Sequence, residues 1–160
     1  MKKHILETVV EVYASEKELS PQDQKLIKKA KKALKKSYSP YSNFKVGAAI
    51  LLENGKMMSG SNQENASYPL CLCAERVTIA AADSVYPKVP IVAMAITAKS
   101  PTQTISDPVA PCGACRQTLS EYEIKQDTPI EIYFMGETGK VVKSNSLSNL
   151  LPLVFDKSAL

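Results

Sequence analysis

All four cysteines of this chain lie in two short stretches, "CLCAERVTIAAA" at residues 71–82 and "APCGACRQTL" at residues 110–119. Each stretch places cysteine where an irregular segment meets an apolar, helix-period run. Sulfurs grouped this way allow two disulfides, a closed metal knot, or a metal site with one position left open. Backbone N–H groups at a helix start have no internal partner, and the helix dipole adds positive potential there. Both effects draw a thiol toward the thiolate, the form that binds metal. Cys112 and Cys115 stand three apart and share a helix face. Cys73, at the other helix start, can complete a set of three sulfurs. Three protein ligands with a free fourth position is the pattern of catalytic zinc, whereas four ligands close a structural site. Soft sulfur donors favour zinc over magnesium or calcium.

The rest of the chain bears on which fate applies. No apolar run is long enough to cross a bilayer, and the net charge of +4 neither demands nor excludes a polyanionic partner. The start, "MKKHILETVVEVYASEKEL", opens with positive charge as a secretory signal does. Glutamates interrupt its apolar part, and it lacks a small-residue cleavage site. A cytoplasmic address is expected, and there close cysteine pairs are more often ligands than disulfides. Cys71 is flanked by Leu70 and Leu72 and reads as a small buried hydrophobe rather than a fourth ligand. Were it a ligand, a non-enzymatic four-cysteine zinc module would follow. Glu75 falls in the first turn of the helix, two residues after Cys73. A carboxylate there can take a proton from solvent on the open side of the metal and pass it on. Its plainer reading is a helix-start carboxylate favoured by the dipole.

Patterning predicts an α/β fold. Residues 1–20 read as an N-terminal extension whose "HILETVVEVYA" is a possible edge strand, and residues 21–160 as one domain that carries all four cysteines. Ser20 caps a helix that begins at Pro21 and puts Leu26, Ile27, Ala30 and Leu34 on one face. Seven lysines between residues 25 and 36 cover its other side. They read as a solvated face, since no aromatic platform for nucleic acid is interleaved with them. A hairpin turns at Asn54-Gly55. Helices then follow Cys73 and Cys112, with strands at "PIVAMAITA", "TPIEIYFM" and "KVVKS", and a short final helix broken at Pro152. The expected architecture is a single mixed sheet of about five strands with helices on both faces, a three-layer α-β-α arrangement.

Cys-x-Glu followed later by Pro-Cys-x-x-Cys is the signature of zinc nucleobase deaminases. With "SPYSNFKVGAAIL" (39–51), "GSNQENASYPLCLCAER" (60–76), "APCGACRQ" (110–117) and "LLPLVF" (150–155), the chain resembles the small homotetrameric cytidine deaminases. The resemblance implies hydrolytic deamination of cytidine or 2′-deoxycytidine to the uridine nucleoside and ammonia, as in pyrimidine salvage. It implies one Zn2+ per subunit on Cys73, Cys112 and Cys115, with Glu75 moving protons. Asn62 and Glu64 are implied to bind the ribose, Phe44 to pack on the base, and the Ala66 backbone to help hold it. Tyr68 and Phe155 are implied to reach a neighbouring subunit's site. Arg76 is implied to lie beside the sulfurs, where a guanidinium offsets the negative charge of three thiolates on one Zn2+. The loop at 98–110 is longer than usual for the family. Two other deaminase readings stand beside this one: a blasticidin S type, and an editor of nucleic-acid cytosines. Against them stand "NQENA" and the lack of a nucleic-acid surface.

Overall fold

The computed structural model describes residues 1–160. Six strands form one sheet: β1 (Glu11–Tyr13), β2 (Lys45–Leu52), β3 (Met57–Ser61), β4 (Ile91–Lys99), β5 (Glu131–Met135) and β6 (Val141–Ser144). Their order is β1-β6-β5-β4-β2-β3. Three helices flank them: α1 (Pro21–Ala33), α2 (Ala74–Val85) and α3 (Gly113–Gln126). The sixth strand is the short β1 of the N-terminal stretch, laid antiparallel on the β6 edge.

Side-chain alternation sorts the layers. Ala48, Ile50, Met94, Ile96, Ile132 and Phe134 point to the face covered by α2 and α3, where Ala74, Ile79 and Leu119 meet them. Their strand neighbours Ala49, Leu51, Ala93, Ala95, Tyr133 and Met135 point to the other face, onto Leu26, Ile27 and Ala30 of α1. The period of two in the strands meets the period of 3.6 in the helices, and that match is what builds three layers. Each fully buried aliphatic chain such as Leu26 or Ile50 contributes roughly 1.5–3 kcal/mol.

Topology then decides where the helices begin. Both β3 and β4 run antiparallel to β2, so they run parallel to each other in direction. Their C-terminal ends lie at the same end of the sheet. The segment leaving β3 leads to α2 and the one leaving β4 leads to α3, so both helix N-termini start at that end. α3 is the crossover into β5, which pairs parallel with β4.

One helix start and one turn follow the expected chemistry. Ser20 Oγ accepts from the Asp23 N–H at 3.2 Å, with Pro21 in the first turn of α1. The hairpin turn has Gly55 at φ 77°, a conformation glycine adopts without penalty. The tail departs from expectation. Residues Ser148–Leu150 form a single 3-10 turn, not a helix. Pro152 cannot donate to a helical ladder, and it disfavours helical backbone at Leu151.

Helix α1 sits so close to β2 that a Cβ on Gly47 would fall 2.2 Å from the Ala30 carbonyl oxygen. The obstacle is backbone, so Gly47→Ala must push α1 off the sheet. The expected cost is about 1–3 kcal/mol, read from urea unfolding.

Candidate active site

Cys73 is the N-cap residue of α2, and Cys112 is the N-cap residue of α3. Neither side chain caps its own helix, so both sulfurs stay available. Cys115 lies in the first turn of α3, on the side of Cys112. The sulfurs of Cys73, Cys112 and Cys115 all lie within 4.8 Å of one another. Sulfurs sharing a tetrahedral zinc at about 2.3 Å stand about 3.8 Å apart, a spacing inside that bound, so the set suits zinc. Cys115 is buried, Cys73 half-buried and Cys112 exposed, which leaves one side of the cluster open.

The thiols interact strongly. Donation from the Cys115 thiol holds Cys73 down at about 6, with Cys112 and the Arg76 charge acting the same way against burial and Glu75. The Cys115 thiol is pushed well up, first by Cys73 and then by burial and Glu75. The cluster therefore keeps one thiolate that its neighbours share. Glu75 is only 4% exposed, and burial raises its carboxyl above the ordinary range. It faces a cleft with Cys73 and Cys112, the right company for a proton acceptor beside a metal.

The cleft is walled by Phe44, Val46, Asn62, Glu64, Ile96, Val109 and Ala110. Asn62 acts first as a pin. Its Oδ1 accepts from the Val46 N–H at 2.8 Å and from the Ser37 hydroxyl at 2.6 Å, and its Nδ2 donates to the Phe44 carbonyl at 2.9 Å. These bonds set the position of Phe44 and leave one amide N–H free. Glu64 accepts from the N–H groups of Tyr41 at 2.8 Å and Ser42 at 3.3 Å, and from the Ser42 hydroxyl. The Ser42 hydroxyl chiefly holds the Glu64 carboxyl below its ordinary range. A carboxylate has about four lone-pair sites, so one remains for a ligand.

Of the residues singled out in the sequence, Cys73, Cys112, Glu75, Phe44, Asn62 and Glu64 share this cleft, with Cys115 buried behind it. Ala66 is exposed and outside the lining. Tyr68 (68% exposed) and Phe155 (61%) project from the surface, Tyr68 edge-on to Tyr41 with centroids 5.7 Å apart. Cys71 is not the buried core residue expected. It is half-buried at the cleft wall, where its sulfur accepts from the Asn65 N–H at 3.2 Å. The chain turns back at Asn65, and that backbone donor offers the sulfur a polar partner instead of a core position. Nor does Cys71 join the sulfur cluster. Sequence reasoning missed Ser42, Val109, Ala110 and Arg116. Ser42 and Ala110 stand inside the quoted motifs; Val109 carries no local signal. Arg116 binds the Pro111 carbonyl, just before Cys112, through Nε at 2.9 Å.

The family model for the cytidine and deoxycytidylate deaminase zinc-binding region matches residues 20–128. A cytidine deaminase of Halalkalibacterium halodurans is 40% identical over 132 residues, 82% of this chain and 92% of that protein. A crystal structure of cytidine deaminase from Burkholderia pseudomallei superposes with a TM-score of 0.72 at 40% identity, covering 82% of this chain and 98% of that one. A blasticidin-S deaminase of Bacillus cereus is 29% identical over 142 residues, 88% of this chain and 96% of that protein.

Two outcomes follow from the sulfur geometry. Cys71→Ser retains one zinc per chain, whereas Cys112→Ser loses it, as metal analysis of the purified variants will read. Because one thiol of the apo cluster is already ionised near neutrality, zinc uptake at pH 7.5 releases fewer than three protons. Calorimetry in buffers of differing ionisation enthalpy measures the number.

Proposed function

The chain belongs to the cytidine and deoxycytidylate deaminase family, and from that premise we propose how its own residues carry the reaction. The function is zinc-dependent hydrolytic deamination of cytidine and 2′-deoxycytidine to uridine and 2′-deoxyuridine, with release of ammonia. The observation that carries it here is the meeting of three sulfurs at two helix N-termini with a buried glutamate facing the same cleft.

Cys73, Cys112 and Cys115 hold the zinc. Bound there, zinc supplies a Lewis acid that makes a solvent molecule acidic enough to attack near neutral pH. Glu75 takes a proton from the attacking water and gives it to N3 of the pyrimidine, so that C4 accepts the oxygen. Glu75 then carries the second proton to the amino group, which leaves as ammonia while C4 becomes a carbonyl. Burial of Glu75 supports this role, because a carboxyl whose charged form is disfavoured both takes and returns a proton readily. The Arg76 charge, which favours the Cys73 thiolate, supports a part for it in offsetting the sulfur charge.

Phe44, held by the Asn62 amide, offers an aromatic face to the base. Glu64 accepts from a ribose hydroxyl with its remaining lone pair, and the free Asn62 N–H donates to one. The Ala66 backbone, in the exposed bend that follows Glu64, offers the base a peptide group at the mouth of the cleft. Exposed Tyr68 and Phe155 suit a homotetramer in which each chain completes a neighbour's cleft. No helix is long and apolar enough to cross a membrane. Free cysteines in a zinc cluster favour a cytoplasmic setting. The blasticidin S reading keeps the same metal chemistry, but the ribose-facing pair Asn62 and Glu64 favours a plain nucleoside.

Glu75→Gln keeps zinc and loses about 10²–10⁴-fold in kcat, measured from the ultraviolet change of cytidine. The wild-type rate falls on chelation and returns with added zinc. Activity that survives full zinc removal overturns the mechanism.

A further inference from the structure

The segment following the 3-10 turn presents Leu153 and Phe155 to solvent, at 81% and 61% exposure. Burial against its own chain is only partial, at Leu151 and Val154. Hydrogen bonds from two directions hold it in place. On one side, Arg116 Nη1 donates to the Leu150 carbonyl at 3.0 Å, and Gln117 Nε2 donates to the Phe155 carbonyl at 2.8 Å. On the other side stands the N-terminal stretch. The Thr8 hydroxyl donates to the Asn149 carbonyl at 3.1 Å, the Val9 N–H donates to Asn149 Oδ1 at 3.2 Å, and Asn149 Nδ2 returns a bond to the Val9 carbonyl at 2.7 Å. Val9 and Asn149 thus exchange two bonds as paired strand residues do, the side-chain amide standing in for a peptide group. Asn149 Nδ2 also reaches Ser144 Oγ at 2.8 Å, at the end of β6.

The stretch is anchored beyond these contacts. β1 pairs with β6, Leu19 is buried, and Glu16 pairs with Lys31 of α1 at 2.6 Å. Residues 8 and 9 are thereby delivered to Asn149 by a fixed strand. Residues 1–19 lie outside the 20–128 stretch matched by the family model, and they meet the tail just before its "LLPLVF" stretch.

We propose that the N-terminal extension is a strap that fixes Asn149, and through it residues 150–155, so that Phe155 is held in the pose a neighbouring subunit's cleft receives. The inference rests on the reading that Phe155 completes that cleft. Thr8, Val9 and Asn149 are positioning residues; none touches the reacting atoms. Their effect is preorganisation. A tail ordered in the free chain loses little freedom when it docks, whereas a frayed one loses it at each docking event.

The test uses the full chain carrying Thr8→Val and Val9→Pro. These changes remove the hydroxyl and the N–H that reach Asn149, and both positions are exposed, so the core is untouched. Phe155→Ala and the combined triple variant are measured beside it. Expected for the strap variant is a rise in cytidine KM of about three- to tenfold with kcat and zinc content unchanged. Phe155→Ala raises KM at least as much, and the triple variant is no worse than Phe155→Ala alone, because both act through one side chain. If Phe155→Ala raises KM and the strap variant does not, the strap fails while the shared cleft stands. If Phe155→Ala leaves KM unchanged, the shared-cleft reading fails and the strap with it. Additive effects, or kcat and zinc falling together, overturn the inference in favour of a merely structural role.

Discussion

Everything in this molecule depends on two helix N-termini meeting at one end of a sheet. β3 and β4 both oppose β2, so the segments leaving them emerge together, and α2 and α3 must start side by side. Their N-cap residues are cysteines whose sulfurs are not spent on capping. The cluster that results concentrates unpaired backbone donors, helix dipoles and thiols in a small volume. Negative sulfur is tolerated there for the same reason that an anion is tolerated at any helix start.

Around that centre, polar side chains do two jobs with one set of atoms. Asn62 spends most of its hydrogen-bonding capacity on the backbone of Phe44 and Val46, and Glu64 spends most of its own on the turn at Tyr41 and Ser42. What remains is a single donor and a single acceptor site facing the cleft. A ligand-facing group fixed this way loses little rotational freedom when substrate arrives, so the residues that read as substrate contacts are also the pins of the cleft wall.

How much of this could be read beforehand depended on whether the signal was local. Ser20-Pro21, Asn54-Gly55 and the cysteines ahead of α2 and α3 act within a few residues, and their elements formed as expected. Alternation in β2, β4 and β5 gave the three layers, since period-two burial is itself local. Only three residues of the N-terminal stretch joined the sheet as β1, from Glu11 opposite Lys143 to Tyr13 opposite Val141. Cys71 took a polar partner in place of a core position, because a backbone N–H six residues earlier in the chain, at Asn65, turned toward it. Arg116, Val109 and Asn149 were invisible for a stronger reason. Arg116 reaches the Leu150 carbonyl, Asn149 reaches Thr8 and Val9, and Val109 meets the cleft, and nothing in their immediate neighbours records these long-range meetings.

The sulfurs come from segments far apart in the chain, Cys73 before β4 and the other two after it. An unfolded chain can offer a metal two neighbouring thiols but not the full trio in place. Zinc therefore prefers the native conformer, and mass action turns the metal's availability into resistance to unfolding. Each tenfold increase in free zinc above the dissociation constant raises the unfolding free energy by about 1.4 kcal/mol. Metal supply in the surrounding medium thus sets what share of the chain is native, quite apart from how fast it turns over substrate.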